Sequence, residues 1–146
     1  MDQNKINAYE SVGINVKEGL DRFCGIEDLY ENILKKFLND PEFDKLEKAL
    51  DDCDFASAFN ACHTLKGLVG NLSIIPLYKI VFEETELLRN GTDIAGAVSL
   101  FPALKEEYTK VINILLSFII RWQLGIDSPH FIVFCKLKKV QVLNSW

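Results

Sequence analysis

Apolar residues recur along most of this chain at intervals of three and four, which is the spacing that lines one side of an α-helix. Longer segments of this kind cover residues 26–38, 41–50, 55–73, 76–89 and 99–120. Asn15 is a predicted cap for a shorter helix before them, and Asp40-Pro41 and Asn90-Gly91 are predicted breaks. No segment before residue 120 has the pattern of a strand. We therefore predict an all-α protein, an antiparallel four-helix bundle with a short N-terminal helix and an atypical C-terminal tail.

Composition and charge indicate one folded domain followed by a stretch of a different kind. The 146 residues are 49% hydrophobic and 25% charged, which is typical of a folded domain. The formal net charge of −5 argues against a nucleic-acid-binding function, for which a basic surface is usual. Residues 1–116 carry a net charge of −8, whereas residues 117–146 carry +3. The change of sign indicates that 117–146 is a separate C-terminal tail.

The sequence favours a cytoplasmic protein that does not enter membranes. The first ten residues are polar and lack the apolar core of a secretory signal. The longest apolar run, Val111 to Ile120, is too short to cross a bilayer and is predicted to be part of a buried helix. The four cysteines show no Cys-x-x-Cys spacing, so we expect reduced residues of the core type.

The helix predicted over 55–73 carries an unusual polar line beside its apolar stripe. Asn60, His63, Lys66 with Gly67, and Gly70 follow one another at three- to four-residue steps, so they share one face. A glycine inside a helix costs about 1 kcal/mol relative to alanine, so two glycines on this face require a reason. Their effect is to leave a hollow beside the imidazole, into which another molecule can approach closely.

The residue types on this face point to chemistry at the imidazole. Histidine is both a nucleophile and a base near neutral pH. Lys66 stands one turn from His63, where its ammonium group can reach an anion attached to the ring. The pattern therefore predicts an exposed, chemically used imidazole with a cationic neighbour and docking space for a macromolecule.

The sequence around this helix resembles a known family. The motif is AFNACHTLKGLVGNL, which is similar to the signature of histidine-containing phosphotransfer domains, where His-x-x-Lys-Gly lies midway along a bundle helix. The preceding segment VGINVKEGLDRFCGIEDLYENILKKFLND looks like the opening two helices of that family. The following segment LVGNLSIIPLYKIVFEETELLRNG looks like its next turn and helix. The resemblance covers roughly residues 12–116, which we therefore predict to form the phosphotransfer-like bundle.

The resemblance implies a role for each residue of the face. His63 is the implied phosphoacceptor, which exchanges a phosphoryl group with aspartates of receiver domains. Lys66 is implied to balance the charge of the phosphohistidine, and Gly67, Gly70 and Asn60 to lie on the docking surface. The implied partners are receiver domains of response regulators and hybrid histidine kinases. Because the receiver supplies Mg²⁺, the family's members need no cofactor or metal of their own and are phosphocarriers without autonomous enzymatic activity.

Two residues of the next helix are expected near the same surface. Thr85 stands where some relatives have a glutamine beside the phosphohistidine, and its shorter side chain is an expected accessory hydrogen-bond donor. Arg89 is the second accessory candidate.

Several alternatives remain open from the sequence. The protein can be a non-catalytic helical adaptor that docks a receiver or another signalling protein without carrying phosphate. Gly70 can serve close helix packing instead of docking. Metal binding by Cys53, Cys62 and His63 is disfavoured, because neighbouring helix positions point about 100° apart.

The tail is the part that the family pattern leaves unassigned. The segment HFIVFCKLKKVQVL is rich in β-branched and aromatic residues and is a candidate for a short hairpin around Lys138-Lys139. The tail can also pack on the bundle, extend the last helix as far as Trp122, or mediate self-association. His130, which lies in it, is interpreted as structural.

Overall fold

The computed structural model describes the backbone of residues 1–124 and the side chains of residues 1–120. Within that part of the chain every regular element is helical, which confirms the predicted all-α class. The helices are α1 (Gln3–Ser11), α2 (Val16–Arg22), α3 (Glu27–Phe37), α4 (Glu42–Asp51), α5 (Phe55–Asn71), α6 (Ile75–Leu88) and α7 (Ile94–Leu124). A short 3-10 turn, Arg89–Gly91, follows α6. None of the described helices is both long and apolar enough to span a bilayer.

The helix boundaries follow from local sequence chemistry. The Asn15 side chain accepts a hydrogen bond of 3.0 Å from the Glu18 backbone N–H and so caps α2 as predicted. Asp54 caps α5 in the same way, at 3.2 Å from the Ser57 backbone nitrogen. The acidic residues at the end of α4 and after it therefore separate α4 from α5. Pro76 lies in the first turn of α6, where its missing N–H leaves no helical hydrogen bond unmade.

The core forms mainly where helices that are consecutive in the sequence pack together. The most extensive contacts are those between α4 and α5, α5 and α6, and α6 and α7. The fully buried side chains include Leu46, Leu65, Leu77 and Leu104, which come from these four helices. This packing holds α5 between its two neighbours and fixes which of its faces remains open.

Tyr30 connects α3 to the end of α5. Its ring is buried, and its hydroxyl donates a 2.9 Å hydrogen bond to the Leu72 backbone carbonyl. A Cβ atom on Gly19 would overlap the Tyr30 ring, so this position of α2 has room only for glycine. Tyr30 therefore joins α2, α3 and the C-terminal end of α5.

The core of the described part of the chain also contains the carboxyl group of Glu84. Glu84 on α6 has no exposed surface, and neither of its carboxylate oxygens has a hydrogen-bond partner among the described residues. Burial is the main cause that raises the pKa of Glu84 to about 8, and the charge of Glu83 raises it further. The side chain is therefore mostly neutral at pH 7.

Two turns at one end of the molecule are joined through their backbones. The Asn15 N–H donates to the Ser73 carbonyl at 2.8 Å, and the Ile75 N–H donates to the Gly13 carbonyl at 3.0 Å. These bonds pair the turn before α2 with the turn before α6 in antiparallel fashion. Gly13 has a φ of +82°, and a Cβ atom there would overlap the ring of Pro76, so both conformation and space require glycine.

Helix α1 was not among the predicted elements. The first ten residues are mostly polar, yet Tyr9 of α1 is buried. Its ring lies 5.5 Å from that of Phe118 on α7 in an edge-to-face contact. Residues on either side of the predicted 12–116 segment therefore pack against each other.

The last helix is longer than predicted at both ends. It begins at Ile94 instead of residue 99, because the Asp93 side chain accepts a 2.8 Å hydrogen bond from the Gly96 N–H and caps the helix earlier. It continues to Leu124, as in the alternative that extends it into the tail. The predicted hairpin and His130 lie outside the described residues.

Candidate functional site

Helix α5 presents the predicted polar residues on its open face. Asn60, His63 and Gly67 are exposed, and Lys66 is half-buried. Cys62, next to His63 in the sequence, has no exposed surface. This agrees with the expectation that the thiol and the imidazole point in different directions. Among the residues that the structure describes, no three His, Cys, Asp or Glu side chains group as a metal site.

The two glycines of α5 have different surroundings. A Cβ atom added to Gly67 would meet nothing within 4 Å, so no contact inside the described protein requires glycine there. A Cβ atom on Gly70 would lie 3.1 Å from Cε2 of Tyr78 on α6, which is tighter than an ordinary contact. Packing against Tyr78 therefore gives Gly70 a structural reason, in line with the alternative considered for it. No contact among the described residues gives Gly67 a comparable reason.

Aromatic and cationic groups surround the imidazole. The ring of Phe59, one turn before His63, stacks on it at 5.8 Å between centroids and 26° between planes. The guanidinium carbon of Arg89 also lies over the Phe59 ring, 5.1 Å from its centroid. Arg89 thus lies near this surface, and the Phe59 ring contacts both Arg89 and His63.

Lys66 is held by an aromatic ring of α6. Its ammonium nitrogen lies 5.3 Å from the ring centroid of Phe82, which is 45% exposed. Such contacts are weak at exposed sites, so Lys66 remains available to an anion. We call the surface made by these residues of α5 and α6 the His63 face. It consists of Phe59, Asn60, His63, Lys66, Gly67, Phe82, Glu86 and Arg89.

Glu86 brings a negative charge to the His63 face. Its two carboxylate oxygens accept hydrogen bonds from Arg89, at 2.9 Å from Nη2 and 3.1 Å from Nε. This two-point pairing lowers the pKa of Glu86, and the nearby charges of Lys66 and His63 lower it further. Glu86 and Phe82 were not singled out in the sequence. Phe82, Glu86 and Arg89 follow one another at steps of four and three residues, so they share one side of α6. The spacing alone does not tell whether that side faces His63.

The prediction for Thr85 is wrong. Thr85 has no exposed surface, and its hydroxyl donates to the Val81 carbonyl at 2.7 Å. The same oxygen lies 3.2 Å from the buried sulfur of Cys62. Because the side chain faces the core and its proton is already donated, it is not available to a phosphoryl group on the exposed imidazole.

A groove borders the His63 face on the side of Gly67. It encloses about 370 Å³ and is lined by residues of α2, α5 and the start of α6, including Arg22, Lys66, Gly67 and Tyr78. Arg22 is anchored there by a 3.2 Å hydrogen bond from its Nε to the buried Ser73 hydroxyl, and it pairs with Glu18 at 2.8 Å. The groove thus brings Arg22, Lys66 and Gly67 into one lining.

Comparisons of the chain with protein-family models, with curated proteins and with solved structures found no match. The chemical capacity of the His63 face therefore rests on its own geometry. It offers an exposed nucleophilic nitrogen, Lys66 one turn away on the same helix, Arg89 over the neighbouring Phe59 ring, and an approach left open by Gly67. This combination suits a nucleophile that acquires a negatively charged group from a large partner.

Proposed function

We propose that this protein is a phosphorelay intermediate in which His63 accepts a phosphoryl group from one receiver domain and donates it to another. The observation that carries the proposal is the exposed imidazole beside Lys66, on a helix face that Gly67 leaves open. The resemblance to histidine-containing phosphotransfer domains points to the same role. The donors and acceptors are aspartates of response regulators and hybrid histidine kinases.

The transfer requires only one nucleophilic atom from this chain. The neutral imidazole keeps its proton on Nδ1 and attacks the phosphorus of an aspartyl phosphate with the lone pair of Nε2. An N–P bond forms, the P–O bond to the aspartate breaks, and its electron pair returns to the carboxylate. In the reverse step an aspartate carboxylate attacks the same phosphorus, and the imidazole leaves neutral. Phosphoryl transfer depends on in-line positioning and charge compensation more than on further covalent chemistry.

Compensation of charge is divided between the two proteins. Lys66, held against Phe82, supplies a cation next to the phosphorylated ring. In this proposal the receiver supplies Mg²⁺ and the acidic pocket that binds it, so the described chain acts as a carrier rather than as an enzyme on its own. An acidic protein of this kind is expected in the cytoplasm and is not expected to bind nucleic acid.

The surroundings of His63 suit a macromolecular partner. We infer that α4 to α7 form an antiparallel four-helix bundle, because each packs on the next through a short connection. Such a bundle holds α5 rigidly and leaves its open face on the outside. Phe82 adds exposed apolar area beside the imidazole, and Gly67 adds clearance for a backbone or loop of the receiver.

The test is transfer of label from a phosphorylated receiver domain. The full chain is incubated with ³²P-labelled receivers, and label is expected on the protein as acid-labile phosphohistidine. His63→Gln should lose it, whereas the matched control His130→Gln should keep it, since the chain has only two histidines. If the wild type takes no label from a panel of receivers, the proposal fails. Binding to those receivers without transfer would then favour the adaptor function.

A further inference from the structure

One charge on the His63 face opposes the proposed chemistry. A phosphoryl group adds about two negative charges at neutral pH. Glu86 is already negative and lies close enough for His63 and Lys66 to lower its pKa. A carboxylate beside a phosphohistidine does not stabilise the phosphorylated state, so its presence at this position calls for an explanation.

The geometry links Glu86 to a cation that lies over the same ring as His63. Both hydrogen bonds from the Arg89 guanidinium in the described structure end on the Glu86 carboxylate. Arg89 also lies over Phe59, and Phe59 stacks on His63. Arg89 and His63 both contact the Phe59 ring, so a change of rotamer can move the flexible guanidinium toward a group on the imidazole. Its pairing with Glu86 competes with that movement.

We propose that Glu86 is a positioning residue that holds Arg89 away from the phosphoryl group and thereby limits the stability of the phosphohistidine. This inference rests on the proposed function, since it concerns the phosphorylated state of His63. A carrier that binds its phosphoryl group too tightly transfers it poorly to the next aspartate. Arg89 can bind either the Glu86 carboxylate or the phosphoryl group on His63. The stronger its pairing with Glu86, the less it stabilises the phosphohistidine.

The experiment measures how strongly the protein holds the phosphoryl group relative to free imidazole. The full chain is equilibrated with N-phosphoimidazole, whose phosphoryl group passes to Nε2 of His63 as its own P–N bond breaks and imidazole leaves. The two phosphorylated species are quantified by ³¹P NMR, which gives an equilibrium constant without any receiver domain. The proteins compared are the wild type, Glu86→Gln, Arg89→Gln and the double variant. Glu83→Gln is the control, because it removes the same formal charge from an exposed position of α6.

Glu86→Gln is expected to raise the equilibrium constant by about two- to fivefold, the range of an exposed ion pair, and Arg89→Gln to lower it. In the Arg89→Gln background, Glu86→Gln should have little effect, since the residue through which it acts is gone. The gain should also shrink at high salt. Glu83→Gln should leave the constant close to that of the wild type.

Two results overturn the inference, and they are distinguishable from failure of the proposed function. An unchanged constant in Glu86→Gln shows that the carboxylate does not influence the phosphoryl group. An equal gain with and without Arg89 shows that Glu86 acts directly and not by holding Arg89. If instead wild-type His63 takes no phosphoryl group while free histidine does, the proposed function fails and this inference fails with it.

Discussion

The buried carboxyl group of Glu84 makes a quantitative prediction about stability and pH. In the unfolded chain this group has an ordinary pKa of 4.5, whereas burial raises its pKa to about 8 in the folded protein. The folded state therefore binds the proton more strongly than the unfolded state. The contribution of Glu84 to the free energy of unfolding is fully present below the unfolded pKa and is lost as pH rises through the folded value.

The size of this loss follows from the two pKa values. Each unit of difference corresponds to about 1.4 kcal/mol, so the loss between about pH 5 and about pH 8.5 amounts to about 4 kcal/mol. Water entering the core after ionisation reduces this figure. Small domains have a total stability of roughly 5 to 15 kcal/mol, so even half of the effect is readily measured.

The perturbation is Glu84→Gln, which keeps the shape of the side chain and removes its titration. Urea unfolding of both proteins, followed by circular dichroism at fixed ionic strength, gives the free energy of unfolding across this pH range. The stability advantage of the variant over the wild type should grow by about 2 to 4 kcal/mol from the acidic to the alkaline end. Glu83→Gln removes the exposed charge that raises this pKa further, so it should keep a large pH dependence whose midpoint lies at slightly lower pH. A difference between Glu84→Gln and the wild type that does not change with pH would refute the reasoning.

Other expected results come from the glycines of α5 and from Tyr30. Gly67→Ala should raise the free energy of unfolding by about 0.5 to 1 kcal/mol, because it replaces a helix glycine that faces open space. Gly67→Gln should slow phosphoryl transfer from a receiver domain without unfolding the protein. Gly70→Leu should lower the melting temperature and Gly67→Leu should not, since only the former side chain meets Tyr78; equal melting temperatures would contradict this account. Tyr30→Phe should cost about 1 to 3 kcal/mol in urea unfolding because the buried Leu72 carbonyl loses its donor, and a loss near zero would show that water replaces it.

The helices and their breaks were largely predictable because their signals are local. The caps at Asn15 and Asp54 and the turn at Asn90-Gly91 each act within a few residues. Helix α1 escaped prediction because its packing depends on Tyr9 meeting Phe118, a partner more than one hundred residues away. No spacing within the first residues contains that information.

The candidate site was predictable on α5 and less so on α6. The polar line through His63 stands out on its own helix, and the structure leaves it exposed. On α6, a difference of one residue turns a side chain by about 100°, which separates the buried Thr85 from Glu86 on the surface. The rotation of α6 about its axis is set by the packing of the whole core. A sequence motif on α5 therefore does not determine it.

The paired turns beside the groove have a consequence for how recognition can change over evolution. Backbone hydrogen bonds between the Gly13 and Ile75 positions fix the shape of that end without help from the side chains that line the groove. A ligand bound in this groove would lose little binding energy to ordering of the two turns. Exposed lining residues such as Arg22 can therefore be exchanged to suit a new partner while the shape of the groove persists. Insertions or deletions in either turn, by contrast, would disturb both turns together.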